Sequence, residues 1–272
     1  MDDEPIWFFK IASLFLLVAL LVVTANPGVV SSAPAPKTII IGTGNAFKPY
    51  CYLDENGKPV GYEYEVLTAI NKRLPQYKFE FQTYDFQNVL LSLQSNKIDI
   101  AAHQYEKNPE REQKYLFSKE SYTTFILRIT VSKKRNDIHA ITDLDGKIVQ
   151  ISPGSNDAYV IEQYNKMHGN KIKLVYADSG ANPALVIQNI ENGRIDAFIS
   201  IKRIMESYNK VYGDKLKTVG DPIATSSTYY IFRKEDTKLQ EDIDKALLSL
   251  KKDGTLAKIS IKVLGGDYTA ND

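Results

Sequence analysis

The sequence predicts an α/β protein of two related lobes, each with a mainly parallel sheet flanked by helices. Short apolar, β-branched runs alternate with amphipathic helical segments along most of the 272 residues, and such alternation is typical of βαβ units. The alternation occurs as two series, which begin near residues 38 and 147. Long extended segments at 125–134 and 228–235 lie before and after the second series, so we expect them to be the two hinge strands that join the lobes.

The first 37 residues differ from the rest of the chain. Residues 11–25 are apolar and uncharged, and with the aromatic residues before them they approach the roughly 20 residues that span a bilayer. We predict a signal peptide or an N-terminal membrane anchor over residues 1–25, and both remain open because three of the four charged residues before the run are acidic. Residues 26–37, rich in Pro, Ser and Ala, are predicted to be a linker. We therefore expect an exported protein, periplasmic or at the cell surface.

The first series predicts lobe 1 over residues 38–127. Its elements are strand 38–43, helix 61–74, strand 78–83, helix 86–96 and strand 98–102. In the first of these helices, apolar side chains recur every three or four residues, as on the buried face of a helix. A last amphipathic helix, 237–254, is expected to pack back on this lobe, so that residues 226–272 complete it.

The second series predicts lobe 2 over residues 128–225. Its elements are strand 147–152, helix 157–167, strand 171–176, helix 182–192 and strand 195–200. The segments NKIDIAA at 96–102 and GRIDAFIS at 193–200 each place a basic residue, Ile and Asp between a helix and a strand. This shared feature indicates that the two lobes follow one plan.

Composition and motifs argue against several classes of function. The net charge is +1 and no basic stripe occurs, so no nucleic-acid partner is expected. The three histidines form no metal-binding pair, and Cys51 is the one cysteine, so we expect no metal, no cofactor and no internal disulfide. Neither a nucleophile elbow nor a phosphate-binding glycine loop is present. These motifs therefore predict no catalytic residues.

The most informative polar residues lie in the segment 101–122. Arg111 follows Pro109, a residue type that often starts a helix. A guanidinium facing the crevice above strand 98–102 would bind a free carboxylate through two parallel hydrogen bonds. His103 is a further candidate, because it follows the same strand and ligand crevices form at the carboxyl ends of strands.

Residues 38–268 resemble the periplasmic polar amino-acid-binding family, the type II solute receptors of ABC importers. The segments that carry the resemblance are GTGNAFKPY at 42–50, GYEYEVLTAI at 61–70, KIDIAAHQYEKNPER with FSKESY in 97–122, DLDGKIVQISPGSNDAY at 143–159, GRIDAF at 193–198 and KDGTLAKI at 252–259. The resemblance implies a two-lobed, periplasmic-binding-protein-like fold of type II. It also implies a monomeric receptor that captures a free amino acid by closure of its lobes and delivers it to an ABC permease in the membrane.

The resemblance assigns ligand contacts position by position. It makes Arg111 the partner of the ligand carboxylate and places Phe47 and Phe86 as walls against the ligand side chain. The remaining contacts that it implies are Asn45, Gln104, Glu106, Ser155 and Asn156. The last two follow Gly154 at a predicted helix start, where backbone N–H groups and the positive helix end favour a carboxylate.

The ligand ammonium lacks its usual partner. The family commonly has an Asp where this chain has Ile201, and a buried ammonium without an acceptor is costly. Glu106 is the first candidate acceptor and Asp178 is the second. The stretch HQYEKNPER and the closing LGGDYT are similar to cystine-binding receptors, so cystine is the preferred ligand.

Two alternatives from other classes remain open. The same fold serves periplasmic enzymes similar to cyclohexadienyl dehydratases, in which Glu106 beside His103 would act as an acid and base pair. The chain would instead be a membrane-tethered amino-acid sensor if its N-terminal segment is never cleaved.

Overall fold

The computed structural model describes residues 35–177 and 182–269. The predicted signal peptide or anchor over residues 1–25, and all but the end of the linker, lie outside the described residues. Within the described ranges, no helix has both the length and the apolar character needed to cross a membrane.

Strands and helices alternate along the described chain. The strands are β1 (Lys37–Gly44), β2 (Ala46–Phe47), β3 (Cys51–Leu53), β4 (Pro59–Val60), β5 (Tyr77–Tyr84), β6 (Ile100–Glu106), β7 (Leu116–Phe117), β8 (Thr123–Ser132), β9 (Ile148–Ile151), β10 (Lys173–Tyr176), β11 (Ala197–Ile201) and β12 (Leu216–Phe232). The helices are α1 (Tyr62–Asn71), α2 (Phe86–Gln94), α3 (Pro109–Lys114), α4 (Asn156–Met167), α5 (Pro183–Glu191), α6 (Lys202–Tyr212), α7 (Thr237–Lys252) and α8 (Thr255–Leu264), with a short 3-10 helix at Ile141–Leu144.

Nine of the described strands form one large sheet. Its order is β10-β9-β11-β8-β12-β6-β1-β5, and β7 pairs with β12 off this path. β1 is parallel to β5 and β6, and we call these three strands the first strand group. β9 is parallel to β10 and β11, which we call the second strand group. Strands β2, β3 and β4 form a separate small sheet.

Two long antiparallel strands connect the two groups. β8 pairs with β11 of the second group, β12 pairs with β6 of the first group, and β8 and β12 pair with each other. The sequence predicts two sheets, and the structure joins them into one because these pairings are continuous. The α/β class, the two parallel groups and the two joining strands are confirmed. The lobe bounds, 38–127 with 226–272 and 128–225, stay a prediction.

β12 is much longer than the strand predicted at 228–235. It begins at Leu216 and pairs with β8 on both sides of a register shift between Val219 and Ala224. Within the shift lie Gly220, whose φ is +68°, and the Asp-Pro pair that follows it. Gly, Asp and Pro are typical turn residues, so only the long-range pairing with β8 identifies this segment as a strand.

β6 also continues beyond the strand predicted at 98–102. Its last residues, Tyr105 and Glu106, pair with β12, and all seven residues of the strand are buried. Residues 103–106, which the sequence places in a loop, are therefore part of the sheet. Helices α6 and α8 and the small sheet have no counterpart among the predicted elements.

The helices bury the apolar faces that their spacing predicts. In α1 the fully buried side chains include Tyr62, Val66 and Ile70. In α7 the predicted stripe from Leu239 to Leu250 is buried. Both helices pack in the same core cluster, as expected for a C-terminal helix that returns to the first strand group.

Candidate ligand site

A cavity of about 130 Å³ lies where the two strand groups meet. Its walls come from both groups, from β8 and from the helices that follow the strands, which is where ligands bind in open α/β sheets. The lining residues are Asn45, Ala46, Phe47, Asp85, Phe86, His103, Gln104, Glu106, Arg111, Phe125, Leu127, Ser152, Ser155, Asn156, Asp157, Ile199, Ser200, Ile201, Ile204 and Tyr208.

Eight of the predicted site residues line this one cavity. They are Asn45, Phe47, Phe86, Gln104, Glu106, Arg111, Ser155 and Asn156. The ninth, Asp178, lies outside the described residues. The fold thus brings together residues from four separate segments of the sequence, and their contact with a ligand stays a prediction.

One wall of the cavity is aromatic. The His103 imidazole stacks on Phe47 at 5.5 Å between ring centroids and meets Phe86 edge-on at 4.8 Å. Phe86 also stacks on Tyr105 at 5.5 Å. Aromatic rings offer large apolar contact with little loss of conformational freedom, so this wall suits the apolar middle of a ligand.

Arg111 is held rigidly at the polar end of the cavity. Its backbone N–H donates to the side chain of Asn108, which caps the start of α3, at 2.9 Å. Its guanidinium donates to the carbonyl oxygen of Glu106 at 2.8 Å and to that of Gly154 at 2.8 Å. It also lies over the ring of Tyr105, 5.2 Å from the centroid. Arg111 is buried, with 7% of the residue exposed, and the two carbonyls use two of the five N–H donors of its guanidinium, which leaves donors for an anion.

Glu106 lies beside this arginine and contacts the start of α4 and strand β12. Its Oε1 accepts a hydrogen bond from Asn156 Nδ2 at 3.1 Å and another from the Ser226 hydroxyl. Burial raises the pKa of the Glu106 carboxyl to about 7, and the bond from Ser226 and the charge of Arg111 oppose that rise. The carboxyl therefore changes its charge near neutral pH, and its ionised form would accept a ligand ammonium.

The start of α4 forms the polar wall next to Arg111 and Glu106. Ser155 is the N-cap, and its hydroxyl accepts from the backbone N–H of Ala158 at 3.1 Å. The same hydroxyl donates to the carbonyl of Ser152 at 2.6 Å. Because its side chain is occupied in this way, Ser155 is expected to meet a ligand through its backbone, near the positive end of the helix.

Asp157 is a site residue that the sequence analysis missed. Its carboxyl lines the cavity and accepts from the backbone N–H of Ser152 at 3.2 Å. Asp157 is half-buried. Desolvation by the surrounding protein raises the pKa of its carboxyl to about 6, and hydrogen bonds from Ser155 and Ser152 oppose that rise. The available signal was an acid in the first turn of a predicted helix, which is ordinarily explained by the helix dipole.

Two further features of the cavity complete its charge pattern. Asp85, the exposed N-cap of α2, accepts from Asn45 Nδ2 at 3.3 Å, and it was also missed. Ile201 lines the cavity and offers no polar side-chain group. Among the described residues no cluster of three or more His, Cys, Asp or Glu side chains could hold a metal ion. The cavity therefore combines one guanidinium with three carboxyls, an arrangement that suits a zwitterion.

Residues 39–266 match the bacterial extracellular solute-binding proteins, family 3. The chain belongs to this family, which confirms the resemblance found in the sequence. It is 41% identical over 265 residues to the L-cystine-binding protein TcyK of Bacillus subtilis, which covers 96% of this chain and 97% of that protein. It is 43% identical over 233 residues to the L-cystine-binding protein TcyJ of Bacillus subtilis, over 86% of each chain.

Solved structures share the fold. A Listeria monocytogenes protein provisionally described as an L-cystine ABC transporter superposes with a TM-score of 0.80 at 44% sequence identity, over 86% of this chain and 98% of that one. The two-lobed fold of the type II periplasmic binding proteins, predicted from the resemblance, is confirmed.

Proposed function

We propose that this chain is the extracytoplasmic receptor of an amino-acid ABC importer and that its ligand is L-cystine. The observation that carries the proposal is the buried guanidinium of Arg111 at the polar end of a cavity built from both strand groups. The names of the two Bacillus subtilis relatives support cystine as the ligand.

In the proposed complex one α-carboxylate of cystine binds the guanidinium of Arg111 and the N–H groups at the start of α4. The ammonium on the same carbon binds the carboxyls of Glu106 and Asp157, which replace the acid absent at Ile201. Phe47 and Phe86 would pack against the methylene and disulfide atoms. Charge-assisted hydrogen bonds at one end and apolar contact along the middle would give affinity and orientation together.

Closure would couple binding to transport. β8 and β12 connect the two strand groups, so bending of these strands would open and close the cavity. A ligand that bridges Arg111 and the start of α4 has a higher affinity for the closed form, and it therefore populates that form for recognition by a membrane permease.

We further propose that the protein does no chemistry on its ligand and acts as a monomer outside the cytoplasm. His103 is packed among Phe47, Phe86 and Tyr105, and Glu106 Oε1 accepts from Asn156 and Ser226, which supports a binding role over acid–base catalysis. Mass spectrometry of cystine and of a cyclohexadienyl acid after incubation should show no product. N-terminal sequencing of the exported protein separates a cleaved signal peptide from an anchor.

Isothermal titration calorimetry of the purified protein tests the ligand. We expect cystine to bind with a micromolar or lower Kd, and the twenty common amino acids to bind at least tenfold more weakly, because they lack the disulfide that would pack against Phe47 and Phe86. The absence of heat with millimolar cystine and with every amino acid would reject the receptor function. Tight binding of a different amino acid would reject cystine alone.

A further inference from the structure

A buried carboxyl lies behind the cavity, in the first turn of α1. Glu63 is fully buried and is not among the cavity-lining residues. Its Oε1 accepts three hydrogen bonds: from the backbone N–H of Gln104 at 2.9 Å, from Gln104 Nε2 at 2.8 Å and from the Tyr122 hydroxyl at 2.6 Å. Two of these bonds come from one residue, and that residue lines the cavity.

Gln104 has an unusual backbone conformation for its place in the fold. It lies inside strand β6, yet its φ is +53°, in the left-handed region that residues with a Cβ rarely adopt. The pairing of β6 with β12 shifts register just before Tyr105, so Gln104 is not one of the paired positions. Its two bonds to Glu63 are its shortest side-chain hydrogen bonds, and longer ones join its backbone N–H to the Tyr122 hydroxyl at 3.2 Å and the Thr228 hydroxyl to its Oε1 at 3.4 Å. A strained conformation at a binding site persists only when its surroundings fix it.

Glu63 lies among groups that do not titrate near neutral pH. The ionisable groups on which its charge acts are Tyr50, Cys51, Tyr62, Tyr64, Tyr105, Tyr122 and Tyr230, and burial raises the pKa of each. The cation Arg203 acts on Tyr50 and Tyr62. Glu63 Oε2 has no hydrogen-bond partner among the described residues.

We infer that Glu63 is a positioning residue for ligand binding: its carboxylate holds Gln104 in the left-handed conformation that shapes the wall of the cavity. The inference rests on the proposed amino-acid receptor function. It explains why a charged side chain is buried where it contacts no ligand, since ionised oxygens accept hydrogen bonds more strongly than neutral ones.

The pH dependence of this role has a distinct sign. Burial raises the pKa of the Glu63 carboxyl to about 7, although bonds from Tyr122 and Gln104 oppose that rise. Below that pH the carboxyl takes a proton and its hydrogen bonds with Gln104 weaken, so the affinity for the ligand should fall. The folded state binds this proton more readily than the unfolded state, so the stability of the ligand-free protein should rise as the pH falls from about 7 towards 4.5.

The test compares Glu63→Gln with Asp244→Asn. Asp244 is a matched control because it is buried on α7, its Oδ1 accepts from the backbone N–H groups of Lys119 and Glu120 at 2.8 and 3.1 Å, and its Oδ2 has no partner among the described residues. We expect Glu63→Gln to weaken cystine binding at pH 8 about tenfold, the value of one charge-assisted bond, and to remove part of the loss of affinity between pH 8 and 6. Asp244→Asn should leave the affinity at pH 8 and the loss of affinity at lower pH unchanged.

A ligand-free measurement keeps this inference separable from the proposed function. The backbone amide of Gln104 in a 15N NMR titration of the wild-type protein should shift with a midpoint near 7. Glu63→Gln should abolish that transition, and Asp244→Asn should retain it. A Gln104 amide that does not titrate between pH 5 and 8, or equal affinities and pH profiles for wild type and Glu63→Gln, would overturn the inference. Failure of wild-type protein to bind cystine would reject the ligand and leave the NMR result to decide the role of Glu63.

Discussion

Two arginines connect the two sides of the molecule. Arg111 reaches from the side of the first strand group, and Arg203 reaches from the side of the second strand group. Arg111 follows β6 of the first strand group and donates to the carbonyl of Gly154, next to α4. Arg203 lies on α6, after β11 of the second strand group, and donates to the carbonyl of Thr124 at 2.5 Å and to the hydroxyl of Tyr50. Each guanidinium therefore bridges segments that lie far apart in the sequence.

Their surroundings differ. Arg111 lines the cavity, and the charges acting on its guanidinium include Glu106 and Asp157. Arg203 is absent from the cavity wall; its guanidinium lies 4.3 to 5.7 Å from the ring centroids of Tyr50, Phe125 and Tyr268. A bridging arginine therefore becomes a ligand residue only where its free donors face a cavity. Where aromatic rings cover it, it holds the structure together.

Arg111→Ala should have the largest effect on binding. We expect cystine affinity to fall more than a hundredfold, about 3 kcal/mol or more, because the ligand carboxylate loses its charged partner in a buried site. Calorimetry measures the loss. Arg111→Lys is the matched variant: it keeps the charge without the planar fork and should recover only a small part of the affinity. A loss below threefold for Arg111→Ala would mean that the guanidinium does not bind the ligand.

Asp157→Asn tests the charge pattern around Arg111. An ionised carboxylate is needed to hold the ammonium, so the substitution should weaken cystine binding about tenfold to thirtyfold at pH 8. The pKa values of Glu106 and Asp157 are raised to about 7 and about 6, so wild-type affinity should fall as the pH is lowered from 8 to 5.5. The stability of the ligand-free protein should rise over the same window, since the folded state takes up protons more readily than the unfolded one.

Calorimetry at several pH values and thermal unfolding at the same values measure both trends. The Asp157→Asn variant should show a shallower fall in affinity than the wild type. An affinity that is flat or that increases towards pH 5.5 would contradict the role of these carboxyls.

Arg203→Met should have the smallest effect and should sharpen the comparison. The side chain keeps apolar contact with the three rings but loses its charge and its hydrogen bonds, at a cost of about 1 to 2 kcal/mol. We expect a lower Tm and an affinity reduced threefold to tenfold, because the arrangement in which Arg203 joins α6 to Tyr50 and Thr124 becomes less stable. The ratio of affinities for cystine and the next-best amino acid should not change, and a change larger than threefold would place Arg203 in ligand recognition.

The sequence predicted the features that follow from local spacing or from the plan that the two lobes share. The alternation of strands and helices predicted the two parallel groups, and the family resemblance assigned Arg111 and the other predicted site residues. The full length of β12 could not be predicted, because Gly220 and the Asp-Pro pair after it are typical turn residues, and the strand is defined by the residues that pair with β8 on either side of them, up to Val219 and from Ala224.

Residues with distant partners were missed for the same physical reason. Arg203 is explained by Tyr50, Phe125 and Tyr268, and Glu63 is explained by Gln104, 41 positions away. Asp157 lay beside predicted site residues, but nothing in its spacing separated a dipole-compensating acid from one that faces a cavity. Such roles depend on which side chains surround a charge, and periodicity carries no information about that.

A crystal structure of the protein with cystine would decide whether Arg111 binds the ligand carboxylate. We expect one α-carboxylate of cystine within about 3.2 Å of the Arg111 guanidinium, its ammonium against Glu106 and Asp157, and the disulfide beside Phe47 and Phe86. Cystine bound elsewhere, or seated in the cavity with no contact to Arg111, would contradict this expectation.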